Sequence, residues 1–370
     1  MSTGRKPVRK KENQKLDVCI TEKFGKETVD QAHEKKSGST RPRVLILASD
    51  VLFAHFFPEP VRARLTEVAD WSRHSEPEDS ALLREQIAQA DVLMTTWHSP
   101  FLNVDMLGAA PRVRLIAHCG GEVKSRVAEE LFEYITVTNA ADPMAAGVAE
   151  MALTLMLTLV RKVPEYAAEM RAGVIRTNED ASEGETVRGR QVGIVGFGRI
   201  GRAFARLIKP LGAELLVADP HCSPEIVSNH EARLTNLDEL VGSCSVVILA
   251  AGLTAATRNL FDAKRLALLP DRACLINVAR GGLVDMDALL AELRRGRITA
   301  ALDVTDPLEP LPADHELRRL PNVLLTPHIA AGGIEIRRAM GAIAVEEVVR
   351  FSRGEPPRNF VTREILATMT

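Results

Sequence analysis

Residues 192–219 read VGIVGFGRIGRAFARLIKPLGAELLVAD. The first four are an apolar run of the buried-strand kind. They lead into Gly196-x-Gly198-x-x-Gly201, after which Ile200, Ala203, Phe204, Leu207 and Leu211 recur at helical spacing. A second apolar run then ends in Asp219, 18 residues after Gly201 and 23 after Gly196. The glycine spacing alone is weak in a chain with 24 glycines, and the ordered context carries the reading. The glycines allow a tight turn and close approach of backbone to a pyrophosphate. The helix N-terminus supplies unpaired N–H groups and a positive dipole, and the acid accepts from a ribose 2'-hydroxyl. Gly196, Gly198, Gly201 and Asp219 are therefore candidate cofactor residues, with the adjacent Arg199 and Ile200 counted among them. A carboxylate at 219 would repel the 2'-phosphate of NADP, and Pro220, His221 and Cys222 include no arginine to receive it. NAD is the cofactor this favours.

Working outward, the same alternation of apolar runs and helical patterns extends in both directions. Upstream, strands are predicted at 44–47, 91–97, 113–119 and 134–140, with helices at 80–90 and through Val61, Leu65, Val68 and Ala69. Downstream they are predicted at 214–219, 245–251, 273–279, 298–304 and 322–328, followed by an amphipathic helix over 333–352 that Gly354 and Pro356 stop. A long helical segment over 144–172, which Pro164 should end or kink, separates the two halves. Strands alternating with helices imply parallel sheets covered on both faces. The fold class is thus α/β, with two doubly wound parallel sheets.

Composition narrows the setting. Of 370 residues, 46% are hydrophobic and 26% charged, which excludes wholesale disorder and fibrous repeats. The formal net charge of −2 conceals a basic tail, +6 through residue 43, ahead of an acidic body of −8. Residues 1–41 carry too few large apolar side chains to offset the entropy of ordering, so a disordered tail is expected. Lacking aromatic interleaving or a DNA-binding motif, it reads as a solvated extension, not a nucleic-acid contact. Five scattered cysteines without a C-x-x-C pair fit a reducing cytoplasm. The most apolar stretch, 148–160, is 13 residues long against the roughly 20 that a membrane span needs. It reads as a buried helix. No cluster has metal-ligand spacing, so no metal is invoked.

Ligands of open parallel sheets lie beyond the carboxyl ends of the strands, and three polar residues stand there. Arg280 follows LINVA, Glu309 lies six residues beyond Asp303 at the end of ITAALDV, and His328 closes NVLLTPH. An arginine fork suits the carboxylate of a small 2-oxo or 2-hydroxy acid. A histidine suits proton delivery to its carbonyl oxygen as hydride arrives, and a carboxylate beside the ring would hold it. Ala279 and Asp303, also at strand ends, are taken as further cofactor contacts. His98 and His118 follow strands of the first half and read as packing or specificity residues.

The motifs NVARGGLVDMDALLAEL, ALDVTDPLEPLP and LLTPHIA, with GFGRIG upstream and GEPPRNFV at the end, resemble the NAD-dependent D-isomer-specific 2-hydroxyacid dehydrogenases from about residue 44 to 362. The resemblance implies that Arg280 contacts the substrate carboxylate and carbonyl, that Glu309 pairs with His328, and that His328 is the proton donor or acceptor. A one-residue offset around ITAALDV leaves Asp306 as an alternative to Glu309. A glutamate instead of a glutamine beside the histidine argues against the formate dehydrogenase branch. Where many members read G-x-G-V-D-N, this chain reads Cys119-Gly120-Gly121-Glu122-Val123-Lys124. Gly121, Glu122, Val123 and Lys124 are therefore candidate substrate contacts, of which Lys124 could join Arg280 in reading an acid. The resemblance further implies a Rossmann nucleotide-binding domain, 145–328, inserted into a flavodoxin-like substrate domain, 42–144 and 329–370. It implies a homodimer through the long apolar helix and no membrane partner. The activity it implies is NAD(H)-dependent interconversion of a 2-oxo acid and a D-2-hydroxy acid. The alternative is an NAD(H)-sensing corepressor-like protein of the same fold.

Overall fold

Runs such as VLIL, VLMT and CLIN are apolar at successive positions, the signature of strands buried on both faces. The computed structural model describes residues 41–108, 111–175, 177 and 184–369. The expected tail lies outside these residues except for Arg41, whose guanidinium bonds Asp70 at 2.9 Å; part of the polar stretch 177–189 lies outside them too.

Two parallel sheets emerge. The first contains β1 (Arg43–Leu47), β2 (Asp70–His74), β3 (Val92–Thr95), β4 (Leu115–His118) and β5 (Thr136–Asn139) in the order β2-β1-β3-β4-β5. The second contains β6 (Gln191–Val195), β7 (Glu214–Ala218), β8 (Ala232–Leu234), β9 (Val246–Leu249), β10 (Cys274–Asn277), β11 (Thr299–Leu302) and β12 (Val323–Leu325) in the order β12-β11-β10-β9-β6-β7-β8. The first strand of each sheet lies inside it, so the order reverses beside β1 and beside β6. Such a reversal opens a crevice at the carboxyl ends. Two strands escaped the sequence reading, β2 (DWSRH) and β8 (ARL). Both are edge strands with half-exposed polar residues, so neither shows an apolar run.

The long segment between the sheets is two helices, Asp142–Val160 and Val163–Arg171, broken where Lys162 adopts φ 53°. Pro164 falls in the first turn of the second helix, where its missing N–H costs nothing. By length and composition alone Asp142–Val160 could cross a membrane. Here Ala149, Ala152, Leu155 and Met156 are buried in one core with Phe204 and Ile208 of helix Arg199–Ile208. The late helix Ile334–Ser352 joins the first sheet, its Met340, Ala344, Val345 and Val348 sharing a core with Val44, Ile46, Met94 and Leu115. Gly341 permits this approach, since a Cβ there would overlap the carbonyl oxygen of Phe56.

Candidate active site

The carboxyl edges of the two sheets meet. Arg199, just past β6, pairs at 2.7 Å with Asp142, just past β5. At this edge β6 delivers the glycines. Gly196 has φ 89°, and a Cβ on it would lie 2.6 Å from the backbone of Ala251. One on Gly201 would overlap the carbonyl oxygen of Gly196. Gly198 has nothing within 4 Å and stands at the N-cap of helix Arg199–Ile208 without a side-chain cap. The first and third glycines thus close the turn. The second leaves an open approach to uncapped N–H groups, a cradle that fits a pyrophosphate. Asp219 ends β7 beside this turn, its carboxylate accepting from Phe197 N at 2.6 Å and His221 N at 2.8 Å. Ile200 is half-buried and packs against the core below.

Three strands in register build the opposite part of the edge. Asn277 faces Leu302 across β10 and β11, and Leu302 faces Leu325 across β11 and β12. Arg280 and His328 each lie three residues beyond their strand end, on strands about 10 Å apart with β11 between them. His328 Nδ1 lies 2.5 Å from Glu309 Oε1, the two side chains 49% and 36% exposed. Nδ1 is therefore engaged and Nε2 is the nitrogen left for a ligand. Asp306, the alternative partner, instead pairs with Arg258 at 3.2 Å. His328 itself has φ 55°, a left-handed conformation that costs a non-glycine residue on the order of 1 kcal/mol. Arg280 is half-buried, with Nη1 on the carbonyl of Ala279 at 2.8 Å. Ala279 is buried, and Asp303 is only 2% exposed.

The first sheet contributes loop 119–124 after β4. Its carbonyls turn inward: Gly120 O accepts from Ala140 N at 2.8 Å and Gly121 O from Asn139 Nδ2 at 2.7 Å. Among the described residues the N–H groups of Gly121 and Glu122 have no acceptor, which suits them to an anion. The carboxylate of Glu122 is spent locally on the N–H and hydroxyl of Ser125, at 2.7 and 2.6 Å. Val123 is fully buried in the core of the first sheet. Lys124 is exposed and without an acidic partner among the described residues. Cys119 is buried, and burial pushes its thiol up, away from reactivity.

The profile of the family "D-isomer specific 2-hydroxyacid dehydrogenase, NAD binding domain" matches residues 153–330. A glyoxylate reductase of Thermococcus onnurineus is 34% identical over 308 residues, 81% of this chain and 91% of that protein. The chain belongs to the D-isomer-specific 2-hydroxyacid dehydrogenase family. A D-3-phosphoglycerate dehydrogenase of Methanocaldococcus jannaschii is 32% identical over 75% of this chain and 53% of its own length. The crystal structure of a Thermus thermophilus protein is 31% identical over 86% of this chain and all of its own, with a TM-score of 0.72. This dehydrogenase is thus an NAD-binding oxidoreductase of α/β architecture.

His118, read from the sequence as a packing or specificity residue, is joined by residues that the sequence reading did not single out. His118 is fully buried with Nδ1 at 2.9 Å from Thr95 Oγ1, and burial, then the Arg126 cation, hold its pKa down to about 3. A Cβ on Gly120 would overlap His118 Nε2 and lie 3.0 Å from Trp97 Nε1. Arg337 lies 5.5 Å from the Trp97 ring centroid and bonds His55 Nδ1 at 2.7 Å. Asn277 and Thr326 hold the loops of Arg280 and His328 through hydrogen bonds. Trp97, His55 and Arg337 lie far apart in sequence, so spacing gave no signal for them; Asn277 and Thr326 stand inside the NVARGG and LLTPHIA motifs, where residue type does not announce which backbone group each one holds.

Proposed function

We propose that the chain reversibly reduces a small 2-oxo acid to its D-2-hydroxy acid with NADH, and that His328 is the proton donor in reduction. The observation that carries this is the His328–Glu309 pair at the end of β12, 2.5 Å between Nδ1 and Oε1, two strands from Arg280. Arg280 offers a fork of donors to the substrate carboxylate, aided by the N–H groups of Gly121 and Glu122. Glu309 fixes the imidazole so that Nε2 carries the mobile proton. NADH, when bound over the glycine turn, supplies the hydride to the carbonyl carbon. As it arrives, Nε2 gives its proton to the carbonyl oxygen, and in the oxidation direction Nε2 takes it back.

Residues 145–328 would form the nucleotide domain and 42–144 with 329–370 the substrate domain. This is supported by the packing of helix Ile334–Ser352 on the first sheet. Exposed Val163 and Met170 on helix Val163–Arg171 support a homodimer. The four described cysteines are free thiols, in keeping with a cytoplasmic site. Asp219 favours NAD over NADP. The relatives named above are reductases and dehydrogenases, so the corepressor-like reading is not favoured.

The test is turnover of NADH with a panel of 2-oxo acids: glyoxylate, hydroxypyruvate, pyruvate, phosphonooxypyruvate and branched acids. At least one should be reduced. His328→Ala should lower kcat about 100- to 10,000-fold while NADH still binds, the range general acid catalysis contributes. Silence across the panel, or undiminished turnover by His328→Ala, would refute the reading.

A further inference from the structure

We propose that Arg337, Trp97 and His55 form a specificity subsite for a second carboxylate, so that the preferred substrate is a 2-oxodicarboxylate. The proposal rests on the functional reading above, in which Arg280 and the N–H groups of Gly121 and Glu122 take the first carboxylate and His328 the carbonyl oxygen. The tail of the acid is left for the remaining wall of the crevice. That wall is the carboxyl edge of the five-stranded sheet, where the strand order reverses between β1 and β3. His55 stands on helix Asp50–Phe56, which follows β1, and Trp97 and Gly120 each lie two residues past their strands, β3 and β4. Arg337 reaches the same place from the start of helix Ile334–Ser352.

The arginine is short of a counter-charge. Its Nη1 donates to His55 Nδ1 at 2.7 Å, which leaves the hydrogen of that neutral ring on Nε2, and its guanidinium carbon lies 5.5 Å from the Trp97 ring centroid. Neither partner is an anion. Its Nε is buried without a hydrogen bond, and no carboxylate pairs with it among the described residues. Acids of the neighbouring helices are spent elsewhere, Asp50 on Arg73 at 2.6 Å and Glu59 on Arg62 at 2.7 Å. Glu335 shares the helix of Arg337, but residues two positions apart do not face each other. A cation in this place also adds to the positive end of a helix that has no side-chain cap. A half-buried guanidinium costs free energy unless an anion meets it. The substrate tail supplies that anion.

Trp97 adds a second donor. Its Nε1 has no acceptor among the described residues and lies 3.0 Å from where a Cβ on Gly120 would be. The indole N–H therefore stands beside the loop that holds the first carboxylate. His118 Nε2, against the same glycine, is likewise buried without a partner. Phe56 packs edge-on against the Trp97 ring, centroids 5.2 Å apart, and steadies it under the guanidinium. One guanidinium with a neutral histidine balances a single negative charge. A phosphate dianion would leave half its charge unmatched, so the charge balance favours a carboxylate tail over a phosphate.

The experiment measures kcat/KM with NADH for acids paired by chain length: 2-oxobutanedioate against 2-oxobutanoate, and 2-oxopentanedioate against 2-oxopentanoate. In at least one pair the parent should prefer the dicarboxylate about 100-fold, and should prefer it to phosphonooxypyruvate. In Arg337→Gln that ratio should fall to within about threefold of unity, chiefly through KM. The NADH dissociation constant, read by fluorescence titration, should stay within about threefold of the parent and so report a folded variant. Trp97→Phe, which keeps the ring and removes the N–H, should lower the same ratio by about three- to tenfold. A merely structural Arg337 would depress both members of a pair together; a ratio left at the parent value by Arg337→Gln overturns the subsite. If that variant loses NADH binding, the parent decides alone. A parent that favours the uncharged acids, or phosphonooxypyruvate over both dicarboxylates, overturns the subsite and leaves the functional reading standing. Silence with every 2-oxo acid overturns both.

Discussion

The carboxyl edges of the two sheets solve the same problem by different means. On the seven-stranded sheet, side chains make hydrogen bonds to backbone: the buried Asn277 and Asp303 and the half-buried Asp219 each hold a loop through N–H or C=O groups. On the five-stranded sheet loop 119–124 is held by hydrogen bonds from Ala140 N and Asn139 Nδ2 and, in addition, is shaped by close side-chain contact. His118, neutral and fully buried, lies where a side chain on Gly120 would be, and Met144 Sδ is 3.1 Å from where a Cβ on Gly121 would be. Hydrogen bonds fix direction, which under the proposed function suits the wall that aims a proton and a guanidinium. Contact fixes shape and tolerates exchange, which under the same proposal suits the wall that selects among acids.

Substitutions that fill space should separate the two walls. Gly196→Ala should do most damage: it sets a Cβ 2.6 Å from the Ala251 backbone at φ 89°, where neither party can yield. We expect NADH affinity to fall about 100-fold or more, with stability lowered by about 3 kcal/mol; near-parental NADH binding in a fluorescence titration would break the contrast. Gly120→Ala meets a side chain instead. The His118 ring is enclosed and held by Thr95, so overpacking should cost about 1–3 kcal/mol. Substrate KM should rise roughly tenfold with NADH affinity unchanged. The double variant Gly120→Ala with His118→Ala should recover part of that loss, and a failure to recover would show that the clash lies elsewhere.

A further effect is one of pH. Folded His118 stays neutral down to about 3, whereas the unfolded chain takes up its proton near the ordinary histidine value of about 6.5. Its contribution to stability is therefore fully present above that unfolded value and is lost as pH falls from there toward 3. In urea titrations between pH 6.5 and 4, His118→Gln should flatten the decline by up to about 1.4 kcal/mol per pH unit. Identical slopes would place His118 in water on the folded side.

Much of the chemical wall was legible because its constraints are local. Gly196, Gly198, Gly201 and Asp219 follow one another across a single strand–helix–strand unit, and Arg280, Glu309 and His328 each stand just past an apolar run. The choice between Glu309 and Asp306 could not be made from spacing alone. It turned on whether the loop after β11 brought one or the other to the ring, and Asp306 pairs instead with Arg258. The edge strands β2 and β8 stayed hidden because half-exposed edges need no apolar run. Glu122, expected to face the substrate, is turned onto Ser125, a hydrogen bond that residue type does not announce.

The sequence by itself determined the α/β class, the dinucleotide cradle and the identity of the three strand-end polar residues, since each depends on periodicity or on neighbours within one supersecondary unit. Only the tertiary structure decided which polar groups are spent holding the site and which are left to act. That depends on contacts between residues tens to hundreds of positions apart. Asp303 with Ala330, Asn139 with Gly121 and Arg337 with His55 meet only when strands and helices remote in the chain pack together.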